Sequence, residues 1–258
     1  MSTVKSAILL TSFGSANDTI RANIFDKLAA ELQKSFPAFA VRQAFTSNFM
    51  IQKLSRRGIF IATPTEEIAR LREAGYRKIF ILPTHLTAGE EFDNKIKICA
   101  AHDVEIIPPL LTADCLTPFD KKIFATVLDC FKPAADENLI LIGHGSPHRH
   151  NPVYENLQRL AGDKIHIGVI EETDTPNFAD VVNRLKTSAA QKILLAPLLF
   201  NGGVHVEQDI AGDDENSWLS RLTALGYKVR VVRDGLGTFE NFRALYIERL
   251  TVNKNFSL

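Results

Sequence analysis

Two histidines and a glutamate are the residues of this chain best placed to do chemistry: His144, Glu171 and His205. His144 ends an apolar run of strand character, Leu139-Ile140-Leu141-Ile142, and stands between Gly143 and Gly145. Glycine removes side-chain bulk and tolerates unusual backbone angles. The imidazole is therefore expected at the carboxyl end of a strand, where open α/β sheets place their ligand crevices. An imidazole ordinarily titrates at ~6.5 and coordinates metals when neutral. Glu171 and His205 each follow a later apolar run, Gly168-Val169-Ile170 and the stretch that leads to Gly203-Val204. Imidazole plus carboxylate is a reasonable donor set for a divalent ion. Spacing does not decide the matter, because the three are far apart in sequence and convergent polar groups also serve other chemistry. One rival is phosphoryl transfer on His144. An arginine beside that histidine would favour it, but Gly143 occupies the preceding place. A second rival is a carrier that binds metal or ligand without turnover.

The elements that must position these residues alternate along the chain. The patterning predicts a strand over 6–13, a helix over 19–35 and a strand over 39–45. A helix over 64–74 follows, with Thr63 as cap, Pro64 in the first turn and Gly75 at its end. Strands over 78–82 and 104–107 and a helix over 118–131 complete a first set. The order then restarts: strand 138–142, helix 152–160, strand 164–170, helix 176–187, strand 192–198, helix 217–225, strand 227–232 and a closing helix 239–250. Such alternation implies parallel sheets covered by helices.

The restart is an internal repeat. Arg70-Leu71, Lys78-Ile79 and Pro83 match Arg184-Leu185, Lys192-Ile193 and Pro197 at one constant offset. The fold expected is α/β, with two similar Rossmann- or flavodoxin-like domains whose parallel sheets face each other across a cleft. The division is set in the proline-containing stretch 133–136, giving domains 1–133 and 134–258, with the closing helix free to pack back on the first. Matching the halves singles out their differences. Phe13 stands where His144 does, Thr46 where Glu171 does, and residues 87–91 oppose 201–205. Only the second half is armed, after three successive strand ends.

Composition narrows the function. Lys and Arg total 30, as do Asp and Glu, a balance that argues against a nucleic-acid binder. Cys99, Cys115 and Cys130 are too widely spaced for a CxxC site and suggest reduced thiols in a cytoplasm. No apolar run approaches the ~20 residues of a membrane span. His148 and His150 are expected to face solvent, His102 and His166 to be structural, and Trp218 to pack its helix on the core.

Several motifs together resemble the anaerobic-type sirohydrochlorin cobaltochelatases, class II chelatases with a ferrochelatase-like fold. They are Ser12-Phe13-Gly14, Ala44-Phe45-Thr46-Ser47, Pro83-Thr84-His85 with Gly89-Glu90-Glu91, and Gly143-His144-Gly145. Gly168-Val169-Ile170-Glu171, Gly203-Val204-His205 and the block Asp209-Ile210-Ala211-Gly212-Asp213 with Ser217-Trp218 complete them. The resemblance covers nearly the whole chain. It implies insertion of Co²⁺ into sirohydrochlorin without nucleotide hydrolysis, with His144, Glu171 and His205 as catalytic residues and metal ligands and His144 as proton acceptor. Fe²⁺, Ni²⁺ and Zn²⁺ suit the same ligands, so iron insertion toward sirohaem is the nearest alternative. The sequence departs from the family at Glu172-Thr173-Asp174, which keeps Glu172 open as the carboxylate ligand.

The macrocycle's many carboxylates call for local cations or backbone amides. Substrate contacts are expected from Ser12, Phe13, Gly14, His85, Glu90, Arg56 and Arg57. His85 is also weighed as a metal or haem ligand against a satisfied polar or packing role. No nucleic-acid or membrane partner is expected, and a homo-oligomer stays open.

Overall fold

The structure, a computed structural model, describes residues 5–188, 191–254 and 256. Strands β1 (Ser6–Ser12), β2 (Ala40–Phe45), β3 (Lys78–Pro83) and β4 (Val104–Ile106) form one parallel sheet in the order β2-β1-β3-β4. Strands β5 (Glu137–Gly143), β6 (Ile165–Val169), β7 (Lys192–Pro197) and β8 (Lys228–Val231) form a second in the order β6-β5-β7-β8. Identical order in both is the structural form of the sequence repeat. The register repeats as well, since Thr11 pairs with Pro83 and Ile142 with Pro197. Phe13 and His144, each two residues beyond, hold equivalent places at the carboxyl edges of their sheets.

The central strands are near-continuous apolar runs because helices cover both faces of a parallel sheet. Every residue of β5 is buried, and six of the seven in β1 are. Each Leu or Ile buried there contributes about 1.5–3 kcal/mol from apolar area removed from water.

The helices are α1 (Asp18–Ile20), α2 (Lys27–Ser35), α3 (Asn48–Ser55), α4 (Pro64–Glu73) and α5 (Glu90–Lys95), then α6 (Pro118–Phe131), α7 (Val153–Leu160), α8 (Phe178–Leu185), α9 (Trp218–Ala224) and α10 (Glu240–Thr251). A π-helical segment, Arg21–Asp26, joins α1 to α2 within the single helix expected over 19–35. Capping explains several starts. Thr63 with Glu66, Thr117 with Asp120 and Asn177 with Asp180 form reciprocal capping boxes, two of them with proline in the first turn. The helix expected from 176 begins after Asn177, because Pro176 lies in the preceding turn and its carbonyl accepts from the Val169 N–H. Helix α3 was not anticipated. Its only buried residue is Leu54 and its Phe49 is 68% exposed, so it lacks an apolar stripe.

The chain forms two compact units, Met1–Leu110 with Arg243–Leu258, and Leu111–Phe242. The division therefore falls before α6 and not near residue 133. Local bonds explain why α6 and its approach belong with the second sheet. Asn156 of α7 donates to the Ala113 carbonyl at 2.7 Å, and Phe131 of α6 meets Phe239 edge-on at 5.7 Å. Most of α10 belongs to the first unit. There Arg243 grips Glu31 of α2 in a bidentate pair, Tyr246 donates to the Thr84 carbonyl at 2.9 Å, and Arg249 reaches the Pro109 carbonyl at 3.1 Å. Phe256 beyond it stacks on Phe39 at 4.8 Å, beside Phe36 and Phe80.

Candidate active site

In the second unit β5 delivers His144 to the carboxyl edge of its sheet. The glycines around it are required by contact and not only by flexibility. A Cβ on Gly143 would lie 2.2 Å from the Tyr154 ring of α7. Gly145 has φ +77°, and a Cβ there would lie 2.9 Å from Val169 at the end of β6. Only glycine lets this turn come so close to β6 in a left-handed conformation. The chain leaving β6 is then stitched to it, with the Glu171 N–H donating to the His144 carbonyl at 3.1 Å.

These links gather the three residues singled out from sequence. His144 Nδ1 is 4.0 Å from Glu171 Oε1. The His144 and His205 rings meet edge-on with centroids 4.6 Å apart. All three side chains are partly exposed, at 42%, 30% and 47% for His144, Glu171 and His205. Each imidazole has its Nδ1 occupied. His205 Nδ1 lies 2.7 Å from Asp209 Oδ2, one helical turn on, and His144 Nδ1 lies 3.2 Å from the Gly145 carbonyl. Carboxylate and carbonyl oxygens only accept, so in the neutral tautomer of each ring the proton sits on Nδ1 and the lone pair on Nε2. A carboxylate behind a ligating imidazole fixes tautomer and ring orientation in this way. Among the described residues no group of three or more His, Cys, Asp or Glu side chains is arranged, as placed, to hold a metal ion. The trio is assembled around His144 and left open.

Glu172 points elsewhere. Its carboxylate accepts from Arg221 of α9 at 2.5 Å, on the wall of an open cavity of about 690 Å³ that Asp209, Glu207, Asp213 and Asp214 also line. Trp218 is buried against Phe178, with ring centroids 4.9 Å apart, and belongs to the core. His150 is exposed, as expected, and its Nδ1 also lies 2.7 Å from the buried carboxylate of Asp174. Asp209 stood in a motif block and Asp174 in the departure from the family, but neither showed a supporting role in sequence, because the partner of each is visible only after folding.

In the first unit, Phe13 is 43% exposed at the place equivalent to His144, followed by Gly14 in the left-handed region, and Ser12 is buried in β1. Glu90 opens α5 and lies in its first turn. Of the basic pair, Arg57 is already engaged, donating to the Ala16 carbonyl at 2.6 Å and to Asp18 at 2.5 Å. Asp18 also binds Arg21, and the Arg57 bond, then that of Arg21, hold its carboxyl below the usual carboxylate range. The Arg56 guanidinium forms no ion pair or hydrogen bond among the described residues, so it is the available cation of that pair. Of the polar and packing roles weighed for His85, the structure favours packing: among the described residues neither buried ring nitrogen has a hydrogen-bond partner, and burial pushes its pKa down to about 4. His166, structural as expected, is in the same condition inside β6, pushed down to about 4 by burial and then by nearby Arg184.

A duplicated parallel α/β fold that offers imidazole and carboxylate at one open sheet edge marks a metal chelatase. In fold the chain is similar to the solved structure of CbiX, described as the terminal enzyme for biosynthesis of siroheme in denitrifying bacteria, with TM-score 0.55, 20% identity and coverage of 95% of this chain and 98% of that one. It is similar also to SirB from Bacillus subtilis with Fe3+, with TM-score 0.59, 14% identity and coverage of 96% and 94%. The chain belongs to the cobalt chelatase (CbiK) family, whose pattern matches residues 6–254. Among its relatives, the sirohydrochlorin cobaltochelatase of Salmonella typhimurium is 27% identical over 260 residues, covering 96% of each chain. The sirohydrochlorin cobaltochelatase CbiKC of Nitratidesulfovibrio vulgaris is 28% identical over 269 residues, covering 96% of this chain and 90% of that one.

Proposed function

We propose that this chelatase inserts Co²⁺ into sirohydrochlorin without a nucleotide, and that His144, Glu171 and His205 handle the metal. The observation that carries the site assignment is the assembly of His144 between Glu171, at 4.0 Å, and the His205 ring, at 4.6 Å, on one sheet edge of a cobalt chelatase family member. Metallation has to strip water from the ion and remove the pyrrole protons. The free Nε2 atoms of His144 and His205 supply the exchangeable nitrogen donors. Glu171 completes the set and accepts one pyrrole proton, and His144 Nε2 accepts the other once the ion has passed from it to the ring. An open group of nitrogen and oxygen donors suits an ion that is cargo and must leave with the product, whereas closed thiolate sites hold their metal structurally.

On the first sheet's carboxyl edge, the exposed Phe13 ring offers an apolar contact to a flat macrocycle, with Ser12 and Gly14 in the turn beside it. Glu90 and His85 follow the third strand of that sheet, and Arg56, unpaired among the described residues, is a cation available to a substrate carboxylate. Arg57 joins it only by giving up Asp18.

Multiple-turnover absorbance assays of sirohydrochlorin with Co²⁺, and no nucleotide added, test the reading. The expected result is many equivalents of cobalt product per protein, abolished in His144→Ala while the melting temperature is kept. Stoichiometric binding that stops after one equivalent would make the protein a carrier. Normal turnover in the variant would remove His144 from the reaction. Parallel runs with Fe²⁺ and Ni²⁺ rank the metals.

A further inference from the structure

We infer that Asp174 is a positioning residue that sets the spacing between the two metal-handling loops, a role that rests on the proposed placing of the metal at His144 and Glu171. Asp174 is 1% exposed, although it lies in the loop after β6 where the neighbouring Glu172 and Thr173 are exposed. Its carboxylate is surrounded by donors from both sides of the site. Oδ2 accepts from the Ser146 N–H at 2.9 Å, two residues beyond His144. Oδ1 accepts from the Thr175 N–H at 2.8 Å and from His150 Nδ1 at 2.7 Å. Its own N–H donates to the Glu171 carbonyl at 3.1 Å, closing the turn that carries Glu171.

A buried carboxylate that has lost its water is costly unless hydrogen bonds replace the lost hydration. Here every replacement comes from one of two loops. The carboxylate is comfortable only while the loop after β5 and the loop after β6 lie together, so its desolvation acts as a clamp. Ser146 is fastened through its backbone, which fixes the His144–Ser146 turn whatever the side chains do. His150 fastens the far end of the same loop, and it is steadied in turn by Glu155 of α7, whose Oε2 lies 3.8 Å from His150 Nε2. Thr175 donates its hydroxyl to the other oxygen of Glu155 at 2.7 Å, so the cluster is tied to the scaffold as well as to itself. Asp174 touches neither of the ligating side chains. It acts on the metal only through where His144 and Glu171 stand.

Steady-state kinetics of the full chain, varying Co²⁺ and sirohydrochlorin separately, tests the clamp in Asp174→Ala and Asp174→Asn, with His144→Ala as reference. Loss of a supporting group behind a metal site typically costs about 10–100-fold in metal affinity. Asp174→Ala is expected to raise the KM for Co²⁺ by at least about tenfold, with the KM for sirohydrochlorin and the kcat at saturating Co²⁺ within about twofold of wild type. Asn keeps an acceptor for the Ser146 N–H and recovers most of the loss, leaving a rise of about two- to fivefold. A purely structural role would instead lower kcat through loss of folded protein and move both KM values little. Unchanged KM for Co²⁺ in Asp174→Ala, or equal rises for both substrates, overturns the clamp. Should Asp174→Ala lose its cooperative melt, Asp174→Asn decides alone, and an unchanged Co²⁺ KM there overturns it. If His144→Ala turns over normally, the metal reading falls and the clamp with it. If His144→Ala is dead and Asp174→Ala behaves as wild type, only the clamp falls.

Discussion

At the scale of single residues, His85 and His166, whose buried ring nitrogens have no hydrogen-bond partner among the described residues, make the protein sensitive to acid. His85 and His166 are held neutral in the fold, each with its pKa pushed down to about 4, against about 6.5 in an unfolded chain. As pH falls below the unfolded value, the unfolded chain takes up protons that the native one refuses, so stability is lost between about pH 6.5 and 4. At pH 5 the loss relative to pH 8 comes to about 2 kcal/mol for each ring. Urea denaturation of wild type and His166→Leu at both pH values checks this, since the variant should lose about 2 kcal/mol less on acidification. Equal losses would mean that His166 is not desolvated in solution. The proposed metal-handling residues were singled out in sequence by their places after strands, His144 and Glu171 close behind β5 and β6 and His205 at the end of the loop after β7. Their supports were not. Asp209 gains meaning from His205, one turn before it, and Asp174 from Ser146, far away along the chain, and a loop carboxylate such as Asp174 looks the same in sequence whether it is solvated or buried.

At the scale of elements, the β5 turn leaves no room for a side chain at Gly143. Gly143→Ala would drive a methyl group to 2.2 Å from the Tyr154 ring, so either α7 or the strand end has to move. Overpacking of this kind costs about 1–3 kcal/mol. Because the strand end carries His144, insertion activity should fall further than the melting temperature suggests. Tyr154→Leu placed alongside should recover part of both. Absence of recovery would show that the defect is not this contact. The strand-and-helix order was readable because buried parallel strands and proline-led capping boxes are strong local signals. Helix α3 escaped because Leu54 alone turns inward, and a helix that buries one residue shows no period.

At the scale of the molecule, the repeat predicts two similar sheets, and both have the same strand order. What the repeat hides is the boundary. Symmetry sets it between the halves, but α10 rejoins the first unit through side chains that no repeat encodes, among them Arg243, Tyr246 and Arg249. Tyr246→Phe leaves the Thr84 carbonyl without its donor in a buried place, a loss of about 1–2 kcal/mol that urea midpoints would register. An unmoved midpoint would mean that the carbonyl finds another donor.

The return of α10 also bears on how the protein is made. The opening sheet leaves the ribosome with the groove for its last helix still empty, and the whole second unit has to be translated before that helix arrives. Throughout that interval Thr84, Glu31 and the aromatic group around Phe39 await partners, so the segment made first is the one finished last. A nascent chain of this design has reason to engage a holding chaperone, and a gene cut between the two units would leave the earlier product lacking its final helix.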